Sequence, residues 1–158
     1  MKRLLVFAAV VSVFSLGLTA HSGAERGIFR GVQGNLESNG GWGPDTDYSR
    51  MYDPRNLETL QGEVLSVEKV TPMRGMSQGV HLVVQTDRET LSVHLGPEWY
   101  LEEKGAHFEA GDLIEVTGSR AVFDGNPAII AGKIEKGDET LILRDRRGAP
   151  AWSGRSMP

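Results

Sequence analysis

The 158-residue chain contains no cysteine. No disulfide can staple the fold, no Cys pair is available to hold a metal, and a lipid-modified cysteine anchor is excluded. The fold must stand on its core, and the roughly 100 residues with strand-like patterning are enough for that. Basic charge is also scarce. Lys and Arg number 17 against 21 Asp and Glu, and the formal net charge is −4. Nucleic-acid binding needs a basic footprint. The only basic cluster is Arg144, Arg146 and Arg147 near the C-terminus, which reads as a solvated end. There is no His-x-His pair and no internal repeat.

The N-terminus reads as an export signal. Lys2 and Arg3 precede an apolar stretch from Leu4 to Ala20, and the small residues Ser22-Gly23-Ala24 follow. Cleavage after Ala24, or alternatively after Ala20, would remove two cations and no anion, taking the formal charge from −4 to −6. An uncleaved anchor is the competing reading, since the apolar stretch approaches the roughly 17–25 residues that can span a bilayer. In that case the segment would be the chain's only tie to the membrane. Export in a chain of this kind points to the periplasm.

Residues 25–56 show no sustained periodicity. Glycine recurs at positions 27, 31, 34, 40, 41 and 43, a composition that costs backbone entropy and offers little to bury. They read as a flexible leader. Trp42, Tyr48, Met51 and Tyr52 are the exceptions, as residues able to dock onto a folded domain.

Strand patterning begins at Leu57. LETLQGEVLSVEKV, residues 57–70, changes phase near Gly62 and Leu65, as a long bent strand serving two sheets does. The loop TPMRGMSQG carries Met73 and Met76. Leu82 and Val84 then alternate with His81 and Gln85, and Leu91, Val93 and Leu95 alternate with Ser92 and His94. The connecting Thr86-Asp87-Arg88-Glu89 lacks the Asn-Gly or Asp-Gly that would fix its turn type. A two-residue turn at Asp87-Arg88 would set Thr86 opposite Glu89, and therefore His81 opposite His94. The two imidazoles would then share the outer face, with Cβ atoms about 4.5–5.5 Å apart. The alternative is that both histidines simply face water.

Gly96-Pro97-Glu98 opens a short helix carrying Trp99, Tyr100 and Leu101, which Gly105 ends. His107 falls in a loop and reads as solvated. Two further strands, around 113–123 and 127–136, flank the turn Asp124-Gly125-Asn126, and TLILR, residues 140–144, forms a last one. The tail from 146 to 158 carries Trp152, which would pin it if it docks.

This order predicts an all-β fold: a five-stranded OB-type Greek-key barrel over residues 57–145, one short helix between strands 3 and 4, and an extra C-terminal strand. Ligands of such barrels lie across the strand 2–3 face, near the loops between strands 1–2 and 4–5. Here that face carries His81 and His94, and the first loop carries Met73 and Met76.

The segments TLQGEV, VHLGPEWY and GDLIEVTG resemble a family of small periplasmic OB-fold proteins of bacterial stress tolerance. More closely, YDPRNLETLQGEV, GMSQGVHL, VHLGPEWYL and PAIIAGKI resemble domains of the magnetosome proteins MamS and MamX, over residues 52–154. That resemblance implies a role in iron handling or redox partnership on the periplasmic side. The chain departs from MamX in having no Cys-x-x-Cys-His, so it cannot attach haem covalently.

Two functions follow as expectations. One is a non-enzymatic binding protein. Its ligand face would comprise His81, His94, Trp99 and Tyr100, and its transition-metal site His81 and His94 with Met73 or Met76. Thioether ligands would shift the preference towards Cu(I). The other is an interaction module that docks a periplasmic redox or membrane-complex protein, such as a cytochrome, through aromatic and methionine anchors. An enzyme is not expected. Ser92, His94 and Glu89 are close in sequence, but strand geometry gives them no chain of nucleophile, base and orienting acid.

Overall fold

The computed structural model describes residues 39–155. The stretch read as an export signal, the rest of the leader up to residue 38 and the last three residues lie outside that range. Strand β1 (Leu57–Val70) is followed by the hairpin β2 (Gly79–Gln85) and β3 (Thr90–Pro97). A short helix, α2 (Glu98–Glu103), precedes the second hairpin β4 (Leu113–Phe123) and β5 (Asn126–Lys136), and β6 (Glu139–Ile142) follows. One further helical turn, α1 (Asp47–Arg50), lies before the first strand.

The strand order is β3-β2-β1-β4-β5-β6, and a parallel β3–β5 pairing closes the first five into a barrel. This is the OB barrel with an added strand. Its closure depends on β1 serving two partners. Leu57–Glu63 pairs with β4 and Glu63–Val70 with β2, and the register slips between Val64 and Ser66. The phase change in the sequence is therefore a bulge that turns the strand from one partner to the other.

Inward-facing Val64, Leu82, Val84, Val93, Val116, Ile129 and Ile134 are almost completely buried. In β5 the run Ala128, Ile129, Ile130 and Ala131 is buried without alternation. Continuous burial means that both faces are covered. The second cover comes from outside the barrel and governs the candidate site.

That cover corrects one expectation. Residues 39–56 are not a free leader. They form a strap across the barrel in which Trp42, Tyr48 and Tyr52 join the core cluster. The residues after 146 are likewise packed as far as Trp152, which is 1% exposed. Glycine content argued for chain entropy, but the three large rings of the strap and the one of the tail bury enough apolar surface to overcome it.

Candidate functional site

The β2–β3 turn is held by Thr86. Its N–H donates to the Glu89 carbonyl at 2.9 Å, and its hydroxyl oxygen accepts the amides of Arg88 and Glu89. With that turn, His81 lies opposite His94. The rings stack, with centroids 3.6 Å apart and planes 13° from parallel.

The expectation of solvated rings does not hold. His81 is 4% and His94 3% exposed. Tyr48, on α1 of the strap, lies parallel to His94 with ring centres 6.2 Å apart, and its hydroxyl is 3.4 Å from His94 Nδ1. Phe123, at the end of β4, covers the other flank at 4.3 Å from His94. His81 Nε2 is buried without a hydrogen-bond partner. Alternation correctly gave the histidines the outer face, but a strap and a neighbouring strand end had made that face interior.

Burial removes the water that would solvate an imidazolium, so both rings favour the neutral form. Desolvation lowers His81 to about 4. Desolvation and then the neighbouring His81 lower His94 to about 3. Burial pushes the Tyr48 phenol up, well out of its ordinary range.

The strap is anchored at the Gly79–Gly96 end of the hairpin. The Trp42 indole N–H donates to Ser77, with both the carbonyl and the hydroxyl 3.2 Å away. A Cβ on Gly79 would lie 2.5 Å from the Trp42 ring, and one on Gly96 2.6 Å from the Trp152 ring. Two glycines thus leave flat seats for two indoles. Trp152 donates its indole N–H to the Trp42 carbonyl at 2.7 Å, tying the tail to the strap. Ring contacts run from Tyr100 through Trp152 and Trp42 to Tyr48 and on to His94.

The remaining sequence candidates occupy separate places. Trp99 and Tyr100 sit on α2. Tyr100 packs on Trp152 at 5.4 Å and connects to the histidines only through the intervening rings. Met73 and Met76 lie in the 71–78 loop, half-buried against the core cluster. Met76 lies beside the strap, its Cγ 3.0 Å from where a Gly41 Cβ would be.

This donor set is a poor metal chelate. Imidazole lone pairs lie in the ring plane, so near-parallel stacked rings do not converge on one ion. Among the described residues no group of three or more His, Asp or Glu is placed to hold a metal. An open hollow of about 550 Å³ lies elsewhere, over β1, β4 and β5, lined by Gln61, Glu63, Leu113, Glu115 and Glu135.

Sequence reasoning missed Phe123 and Arg144. The Arg144 guanidinium is 4% exposed and lies over the Tyr52 ring at 4.8 Å and the Trp152 ring at 5.6 Å. Its Nη1 donates to the Gly148 carbonyl at 3.0 Å, while Nε and Nη2 have no acceptor. In the sequence it looked like one of three solvated arginines. Trp42, Tyr48, Met51 and Tyr52, as large side chains in a glycine-rich leader, signalled the cover over this face.

The barrel, its covered strand 2–3 face and the helix between strands 3 and 4 define an OB-fold protein. The MamS/MamX magnetosome protein family model matches residues 56–141, more than half of the chain, and the chain belongs to that family. No curated protein matches it. Among solved structures, it is similar to the dimeric N-terminal domain of PriB from Thermoanaerobacter tencongensis. The identity is 17% and the TM-score 0.43, covering 54% of this chain and 99% of that one. It is also similar to the S. pombe Stn1-Ten1 complex, at 13% identity and a TM-score of 0.42, covering 62% of this chain and 79% of that one.

Proposed function

We propose that this is an exported, non-enzymatic docking module of the periplasm, which holds a redox or membrane-complex protein such as a cytochrome. The observation that carries the reading is occupancy: the chain's own strap fills the strand 2–3 face, where an OB barrel would take a small ligand. Half-exposed methionine and aromatic side chains include Met73 and Met76 in the 71–78 loop and Trp99 on α2, which lie near one another in the fold through the joined loop and helix. The loop and helix are joined, because the Glu98 amide donates to the Gln78 carbonyl at 3.0 Å. Methionine and tryptophan are residue types that interfaces favour at their cores. The Glu89 carboxylate accepts from Arg120 at 2.7 Å, and His94 Nδ1 lies against the Tyr48 hydroxyl, which supports the non-enzymatic reading.

The test is photocrosslinking in cells, with the crosslinker at Met73 or Trp99. One partner should be captured from both positions, lost on Met73→Ser with Trp99→Ser, and retained on His81→Gln with His94→Gln. A stoichiometric heat of copper or zinc binding that disappears in the histidine variant, with no crosslinked partner, would replace this reading with the metal site.

A further inference from the structure

We propose that the stacked His81–His94 pair is a proton-operated latch, which holds the strap on the barrel when neutral and releases it on acidification. This inference rests on the pair's geometry and not on the partner reading above.

Two imidazoles 3.6 Å apart, both buried, can tolerate one proton poorly and two hardly at all. Their cover is the strap residue Tyr48, whose hydroxyl reaches His94 Nδ1. That hydroxyl can donate to a bare Nδ1 or accept from a protonated one, so it fixes neither tautomer. A full positive charge on His94 would still be held without water or an anion, against the stacked His81 ring. His81 Nε2 has no partner, so no group in the closed state would solvate a proton on it. With the strap lifted, both rings would face water on the outer surface of the sheet.

The surroundings supply no compensating anion. From β1, Glu68 lies opposite His81 in register, but it is exposed, with the Ser66 hydroxyl donating to its carboxylate at 3.3 Å. From the strap, Asp47 and Arg50 are exposed and pair with each other at 3.1 Å. The β4–β5 turn contributes Asp124, which is exposed. β5 places the apolar Ile130 opposite His94. Arg144, beyond Tyr48 against Tyr52 and Trp152, is a further positive charge. Among the described residues no carboxylate forms an ion pair with either imidazole.

The sign follows from proton linkage. The open state binds protons with the ordinary histidine pKa of 6.5, while the closed rings sit at about 4 and about 3. Closure is therefore fully favoured above that ordinary value and is lost progressively as the pH falls towards the closed values. At about pH 5 each ring shifts the balance towards opening by about thirtyfold, and the two together by on the order of a thousandfold. The opening constant should rise by about two decades per pH unit between about pH 6 and about pH 4. Opening would uncover the strand 2–3 face that OB barrels use for ligands.

Hydrogen exchange of the full chain, followed by mass spectrometry from neutral to about pH 4.5, tests this directly. After correction for intrinsic exchange, peptides covering residues 39–52 should open with the two-proton slope, while β4 and β5 stay protected. His81→Gln and His94→Gln should each halve the slope, and together abolish it. Tyr48→Phe should keep it. The proposal fails if the strap shows no acid response, if the response survives both glutamines, or if the barrel opens together with the strap. Should the double variant not fold, the two single variants decide by the same slope.

Discussion

Adding one methyl group at Gly79 should unseat the strap from the barrel. A Cβ at this position would lie 2.5 Å from two ring atoms of Trp42 and 3.0 Å from the Gly96 carbonyl. The second contact needs a shift of a few tenths of an ångström. The first cannot be relieved so easily. Trp42 is fully buried, its indole N–H is committed to Ser77, and its carbonyl is held by the Trp152 indole. Overpacking in a fixed site costs about 1–3 kcal/mol, and expelling a buried tryptophan about 3–5 kcal/mol. Gly79→Ala should therefore destabilise by about 2–4 kcal/mol. Urea unfolding followed by far-UV circular dichroism measures it. In a Trp42→Ala background the same substitution should cost less than about 1 kcal/mol, since only the carbonyl contact remains. A cost below about 0.5 kcal/mol in the native background, or an undiminished cost without the indole, would refute the seat.

Gly96→Ala should behave differently. Its φ of +147° lies in the region that side chains rarely adopt, and its Cβ would meet Trp152 at 2.6 Å. Removing Trp152 should therefore rescue only part of its cost in the same unfolding assay. Tyr48→Phe loses a single hydroxyl contact at 3.4 Å and should cost less than about 1 kcal/mol. Arg144→Met should be neutral or stabilising by about 1 kcal/mol, because burial without a carboxylate partner makes the guanidinium expensive. A loss above about 2 kcal/mol on that substitution would show that its contacts with Tyr52 and Trp152 outweigh the desolvation.

The barrel was readable because its signals are local. Alternation in residues 79–95 fixed which side chains of the hairpin point inward, and Thr86 to Glu89 set its register. The phase change near Gly62 marked where β1 changes partner. The state of the histidines was not readable in this way. A polar residue on the outer face of an isolated hairpin faces water by default. Whether it stays there depends on Tyr48, 46 residues away in sequence from His94, and on Phe123 at the end of another strand. Arg144 failed for the same reason, since its charge was visible and its two covering rings were not.

The sequence alone determined the five-strand order, the helix after β3 and the outward placement of both imidazoles, and it offered their opposition across the hairpin as the outcome of a two-residue turn. Each is a consequence of periodicity or turn length within a few residues. Tertiary structure decided that this outward face is an interior, that the glycine-rich segment from Trp42 onwards is a strap, and that burial favours the neutral form of both rings. Burial is a property of everything packed around a residue, and contacts between distant segments leave no periodic trace in either.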